Sequence, residues 1–290
     1  MTSPSTWLAK ASNTLPPQVW FGVSAIFHYL GPSFAVLLFP AVGVLGVAWM
    51  RIASAACIFS IWSNPWKVWT SLDTRSRWLL VFLGASLAVM NTSFYLALEH
   101  LPMSLVAAIE FIGTIAVALY GLRSFRNIAA LVLAVTGVFI LIDVKWSSDP
   151  IGLAWAFLNG ALFVAYIILG HNISQSGAAG GIERLGAAML IALIFVMPIG
   201  ILQAVKALSN PLLVAAGIGV GICSSVIPYV CDQLAMSRLP RASFALLLAL
   251  LPASATLIAA IVLKQIPGFS DIAGILLVMA GVAIHKPVQI

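Results

Sequence analysis

Read along the chain, apolar runs follow one another with short polar breaks and hardly any loop between them. Each run is long enough to cross a hydrocarbon core of about 30 Å, and only a helix satisfies its own backbone there. Helices are therefore predicted at 16–38, 43–63, 77–98, 103–122, 127–143, 151–170, 184–205, 211–236, 241–263 and 269–285. The expected fold class is an all-α polytopic membrane protein of ten transmembrane helices, with no room left for a soluble catalytic module. The run at 103–122, MSLVAAIEFIGTIAVALYGL, carries one full charge, Glu110. A carboxylate near mid-membrane costs about 3 kcal/mol or more, so it is expected to face a polar cavity or a partner. Around it Ala107, Gly113, Thr114 and Gly121 recur at helical spacing and make a face of small residues against which other helices can approach closely.

Composition strengthens this picture. Hydrophobic residues make up 62% of the chain and charged residues 8%, with a mean hydropathy of +1.11, whereas soluble domains carry about 25% charged residues. The net charge of +6 is spread singly over short loops, which is no footprint for nucleic acid. Cys57, Cys223 and Cys231 lie within apolar runs; their number and spacing predict neither a disulfide framework nor a zinc site, but packing. No metal set, nucleotide loop or clustered nucleophile is legible, so no cofactor and no enzymatic activity are expected. The first fifteen residues carry Lys10 as their only charge and lack the pattern of a signal peptide, so no removed leader is predicted.

Lys and Arg counted over alternate loops predict the orientation. With the N-terminus inside, Lys10, Lys67, Arg75, Arg77, Arg123, Arg126, Arg184, Arg238, Arg241 and Lys286 are cytoplasmic; Lys145, Lys206 and Lys264 are outside. Both termini should be cytoplasmic. Trp62, Trp66, Trp69 and Trp78 bracket the inner ends of spans two and three as an interfacial belt, and Trp146 and Trp155 sit near the opposite face.

A weak repeat runs through the chain. Gly22 and Gly160 are 138 residues apart, as are Leu101-Pro102 and Leu239-Pro240, and AVTGVFIL in span five echoes VMAGVAIH in span ten. This predicts two five-helix repeats, 1–147 and 148–290. Five is odd, so the second copy is inverted, with a site expected near midplane between the halves.

Polar residues mark that depth. Arg51 is eight residues past Gly43, Glu110 eight past Pro102, and Asn91 eight before Glu99, so each lies about 12 Å below the outer boundary. Asn159 in span six and His28 in span one fall near the same level. Arg51 and Glu110 either pair with each other, tying span two to span four, or receive the carboxylate and ammonium of a free amino acid. Asn91 and Tyr95 share a face of span three, and Asn159 and Tyr166 share a face of span six, as cavity lining or interhelical bonds. In span eight Ser225, Tyr229 and Asp232 form a polar stripe beside Pro228, which frees backbone carbonyls in mid-helix. Asp232 is expected to bridge to Arg238 at the inner edge, with a role toward solute as the alternative. The candidate solute-binding residues are thus His28, Arg51, Asn91, Tyr95, Glu110, Asn159, Tyr166 and Tyr229.

The stretches LFPAVGVLGVAWMRIA (38–53), NPWKV (64–68), MNTSFYLALEHLP (90–102), AIEFIGTIAVAL (108–119), ALIFVMPIGILQA (192–204) and IPYVCDQLAMSRLP (227–240) resemble the EamA-domain branch of the drug/metabolite transporter superfamily, and within it the bacterial threonine/homoserine exporters. The resemblance spans nearly the whole chain. It implies a secondary active exporter of small amino acids and related metabolites in the bacterial inner membrane. Such a protein has cytoplasmic termini, draws on the proton gradient and works by alternating access, with spans three, four, eight and nine lining the path. Two positions depart from the family: Thr114, where proline is common (Pro252 occupies the corresponding place in span nine), and Gln265, where glutamate is usual. Export of another solute (an aromatic amino acid, a purine, a drug) and a passive facilitator or channel are the alternatives. A channel would tend to show a selectivity ring, and none is legible.

Overall fold

The structure is a computed structural model that describes residues 15–119, 125–143, 149–240 and 250–284, with Phe244, Leu247 and Leu248 between. Among these residues the regular structure is entirely helical. In chain order the helices are α1 (Pro17–Val42), α2 (Val44–Trp62), α3 (Pro65–Ser71), α4 (Thr74–His100), α5 (Met103–Leu119), α6 (Phe125–Asp143), α7 (Pro150–Ser174), α8 (Gly177–Leu208), α9 (Pro211–Met236), α10 (Leu250–Val262) and α11 (Phe269–Ile284). Six of them, α1, α2, α4, α7, α8 and α9, are long and apolar enough to cross a membrane. The apolar stretches of α5, α6, α10 and α11 are shorter: Met103–Gly113, Ile128–Gly137, Leu251–Val262 and Phe269–Gly281.

Local chemistry places the breaks. Gly43 separates α1 from α2 with φ 86°, and its N–H bonds back to the Phe39 carbonyl at 2.8 Å; only glycine takes that backbone without strain. Pro65, Pro150 and Pro211 stand at helix starts, each behind a side chain that accepts from a first-turn amide: Asn64 from Lys67, Asp149 from Gly152, Asn210 from Leu212. The short α3 was expected to be loop. Its Asn-Pro start makes it a helix, and Arg77 closes its end by donating to the Trp69 carbonyl at 2.9 Å with its guanidinium over the Trp69 ring. Of the span predicted from 241, Leu250–Val262 is helix α10 and Phe244 and Leu247 are helical; 241–243, 245, 246 and 249 lie outside the described residues.

Burial is inverted relative to a soluble protein. Large apolar side chains such as Leu37, Phe82, Ile194, Leu202 and Leu257 point outward, while Arg51, Asn91, Glu110, Asn159 and Asp232 are buried. That arrangement suits a bilayer as solvent, where polar groups turn to the bundle interior. The main packing pairs are α2 with α8, α6 with α11, α4 with α7 and α8, α1 with α9 and α10, α5 with α7 and α10, and α2 with α9. Gly137 lets α6 lie directly on α11, against the Gly274 carbonyl. Gly121 lies outside the described residues, as does the side chain of Thr114, so of the small-residue face predicted on α5 the structure describes Ala107, which is buried, and Gly113, which meets Val164 and Gly160 of α7.

Candidate functional site

Helices α1, α2, α4, α5, α7 and α9 converge on a polar cavity lined by His28, Arg51, Met90, Asn91, Phe94, Glu110, Asn159 and Tyr229, with room for about one water molecule. The depth count made from the sequence brought the first-named polar groups together correctly: five residues placed at one level all line it.

Glu110 reaches the cavity because α5 and α7 touch. Gly160 is what allows this, since a Cβ there would sit 3.3 Å from the Ile109 carbonyl and 3.4 Å from the Glu110 Cα. The neighbouring Asn159 then donates from Nδ2 to Glu110 Oε1 at 2.6 Å, and Tyr29 donates its hydroxyl to Oε2 at 3.0 Å. Both donors are neutral. The other amide atom of Asn159, Oδ1, is buried with no hydrogen-bond partner. His28, one residue before Tyr29, packs edge-on between the rings of Tyr29 and Phe163.

Arg51 is held by backbone that proline has released. In α9 the turn Ile222–Val226 is a π-helix, and Pro228 has no N–H to offer the carbonyl four residues earlier, that of Ser224. Arg51 Nη2 donates to that carbonyl at 2.7 Å, and Nε donates to Ser225 Oγ at 2.8 Å. The guanidinium lies over the Tyr95 ring, 5.2 Å from its centroid. Nη1 is buried and has no partner. Close contact of α1 with α9 fixes this turn, because a Cβ on Gly31 would lie 2.5 Å from the Ser224 amide nitrogen.

The two alternatives for Arg51 and Glu110 are thereby narrowed. No ion pair joins them among the described residues; each has its own neutral partners, and both face the same cavity. Asn91 lines it as expected, donating to the Leu87 carbonyl at 2.6 Å and accepting from Tyr229 at 3.2 Å. Tyr95 and Tyr166 do not line it. Tyr95 lies beneath Arg51, with its hydroxyl 3.5 Å from Ser224 Oγ, and Tyr166 donates to Asp232 Oδ2 at 2.9 Å. The expected Asp232–Arg238 bridge is not formed: Asp232 is taken by Ser24 and Tyr166, and Arg238 donates to the Leu15 carbonyl. Among the described residues α4, α5 and α9 line the cavity together with α1, α2 and α7; residues 241–243, 245, 246 and 249 of span nine lie outside the described residues. Residues missed from the sequence are Tyr29, Met90, Phe94 and Ser224. Of these only Ser224 carried a signal, its place four residues before Pro228.

At one end of the bundle His100 Nδ1 lies 2.8 Å from Asp149. The Gly152 amide foremost, with His100, holds the Asp149 carboxyl below the usual carboxylate range. Gln265 accepts from the Met103 amide at 3.2 Å and so caps the start of α5, a task an amide performs as well as the glutamate usual in the family.

A ring of buried polar side chains around a small central cavity, inside helices whose outer faces are apolar, is the build of a multi-pass membrane transporter. The family model for the EamA-like transporter family matches residues 150–285. The threonine/homoserine exporter RhtA of Escherichia coli (strain K12) is 35% identical over 228 residues, 78% of this chain and 76% of that protein, and RhtA of Salmonella typhimurium (strain LT2) matches to the same extent. A solved crystal structure 15% identical to this chain has the same fold, with a TM-score of 0.64 over 91% of this chain and 94% of that one. The chain belongs to the EamA-like transporter family, a branch of the drug/metabolite transporter superfamily.

Proposed function

We propose that this protein is a secondary active exporter of small amino acids of the threonine/homoserine kind, working by alternating access in the bacterial inner membrane with both termini cytoplasmic. The observation that carries this is a pair of orphaned atoms at one cavity: a buried donor, Arg51 Nη1, and a buried acceptor, Asn159 Oδ1, the latter beside the carboxylate of Glu110. A free amino acid supplies both missing partners, its carboxylate to Arg51 and its ammonium to Asn159 and Glu110. Asn91 and Tyr229 are then placed to meet a hydroxylated side chain, and His28 packs beside them. The names of the 35%-identical relatives support the same solute class. The cavity holds no more than about a water, so solute entry requires the helices around it to part.

Packing supports a ten-span bundle of two inverted repeats. Numbering the spans without α3, contacts of spans three with six and seven correspond to those of eight with one and two when each span is exchanged for the one five places on. Four with six likewise corresponds to nine with one, and two with seven and five with ten map onto themselves. Rocking of one half on the other is the motion such a build permits. Protons are the proposed coupling ion, since Glu110 is a carboxyl that a solute ammonium and a proton would occupy in turn.

The test is efflux of labelled solutes from loaded proteoliposomes, with and without an imposed pH gradient. Threonine and homoserine should leave fastest and faster with the gradient. Efflux of a purine or an aromatic amino acid with threonine retained would refute the solute class; a rate indifferent to the gradient would make the protein a passive facilitator.

A further inference from the structure

A second buried carboxylate lies off the solute cavity. Asp232, 3% exposed, is seven residues beyond Ser225 on α9, about 10 Å along the helix. Its oxygens accept from Ser24 Oγ at 2.5 Å and from the Tyr166 hydroxyl at 2.9 Å. The arrangement repeats that of Glu110: in both cases α1 supplies a hydroxyl, Ser24 or Tyr29, and α7 supplies a polar group, Tyr166 or Asn159. Neither acid has a cationic partner, and the ion pair found among the described residues is His100–Asp149. An acid serving only to hold helices together inside a membrane would be cheaper as an amide or a hydroxyl.

Ser24 shows what the charge is for. Its hydroxyl has one proton and two acceptors in reach, Asp232 Oδ1 at 2.5 Å and the Pro228 carbonyl at 3.2 Å. When Asp232 is charged, Ser24 and Tyr166 both donate to it. When Asp232 carries a proton on Oδ1, that O–H donates to Ser24 Oγ, Ser24 turns its own proton to the Pro228 carbonyl, and Tyr166 still donates to Oδ2. One proton is gained from water and every polar group keeps a partner in both states.

We propose that Asp232 is a second proton-binding carboxyl of the transport cycle, separate from Glu110, with Ser24 as the hydroxyl that accommodates both of its protonation states. This rests on the proton-coupled exporter proposed above. The inner part of α9 packs against α1, α7 and α8. Their titratable groups on this side are His28 and Tyr29 of α1, Tyr166 and His171 of α7, and Glu183 and Arg184 of α8. Of these Tyr166 touches Asp232, and on α9 itself Tyr229 and Cys231 are the neighbouring titratable groups. The Tyr166 and Tyr229 rings lie against each other, tilted by 35° with centroids 5.3 Å apart, and the Tyr229 hydroxyl reaches Asn91, so the acid is linked through two rings to the cavity wall.

The experiment uses proteoliposomes with the full chain and labelled threonine, measuring exchange at equal pH on both sides and net efflux driven by a pH gradient. Asp232→Asn should keep exchange and lose gradient-driven efflux, Asp232→Glu should keep both, and Ser24→Ala should shift the pH at which driven efflux is half-maximal. Driven efflux surviving in Asp232→Asn overturns the proposal. So does loss of exchange in both Asp232→Asn and Asp232→Glu, which would make the acid a structural clamp. If Asp232→Asn does not fold, the Ser24→Ala profile decides, and an unshifted profile overturns it. Wild-type protein that exchanges threonine yet ignores the gradient refutes proton coupling itself, a failure seen without any variant.

Discussion

Glu110→Gln separates a solute-binding carboxylate from a structural one. In the native site the two carboxylate oxygens accept from Asn159 Nδ2 at 2.6 Å and from Tyr29 at 3.0 Å. Glutamine offers one carbonyl and one amino group in the same volume. Tyr29 keeps an acceptor, and a rotation of the Asn159 amide turns its Oδ1 to the new N–H, so the cost to folding stays at about 1 kcal/mol. The cavity, however, loses its acidic group, and Asn159 now presents a donor where the orphaned acceptor had been. A hydrogen bond to a charged group is worth about 1.5–3 kcal/mol, which converts to roughly 10- to 150-fold in Kd. The assay is calorimetric binding of homoserine and of 4-hydroxybutanoate, the same molecule without its ammonium, to purified protein. Homoserine should weaken by that factor and the des-amino analogue should change little. Equal weakening of both would refute an ammonium contact. Adding Arg51→Gln should not restore binding, because Arg51 has its own partners in Ser224 and Ser225. Recovery in the double variant would mean that the two charges act as a strut.

Two further outcomes follow from the packing and the charge distribution. Gly31→Ala places a Cβ 2.5 Å from the Ser224 nitrogen and 2.7 Å from the Cys223 carbonyl carbon; α1 and α9 must part, at about 1–3 kcal/mol, so thermal denaturation should occur earlier and binding should weaken as the Ser224 carbonyl leaves Arg51, whereas Gly22→Ala, which meets open space, should change neither. In a background without Cys57, Cys223 and Cys231, a cysteine at Ser209 should react with an impermeant thiol reagent on intact inverted-free cells and one at Ser71 only after lysis; labelling of Ser71 from outside would reverse the orientation taken from the Lys and Arg count.

Much of the helical order was legible because apolar length is a strong signal: each predicted run coincides with a helix where residues are described, and Gly43, Pro102 and Pro211 mark breaks that the structure keeps. The short α3 was hidden because seven residues are too few to show a helical period, and its cap and closing arginine are local contacts. Depth along each helix could be counted from the boundaries, so His28, Arg51, Asn91, Glu110 and Asn159 were correctly grouped. Azimuth could not. Tyr95 is one turn from Asn91 and Tyr166 seven residues from Asn159, yet rotation and packing send both hydroxyls to other partners, Ser224 and Asp232. Tyr29 was invisible for the opposite reason: among aromatic residues of an apolar run, nothing in the sequence distinguishes the one that meets a carboxylate.

The same limit explains why the pairing of Arg51 with Glu110 looked as plausible from sequence as their separation. Opposite charges at one depth suit an ion pair, and a direct bridge would have been the cheapest way to bury both. What keeps them apart is neutral solvation of each: a carbonyl left without its amide by Pro228 and a serine hydroxyl for Arg51, a phenol and an amide for Glu110. Neutral donors and acceptors satisfy geometry without cancelling charge. The cavity is therefore lined by a guanidinium and a carboxyl that are not paired with each other, each with an unused hydrogen-bonding atom beside it. A solute carrying one charge would satisfy one wall and leave the other exposed to a desolvated cavity, while an uncharged solute would satisfy neither. On the proposed function, a zwitterion completes both at once, and the separation of the two groups is what selects it.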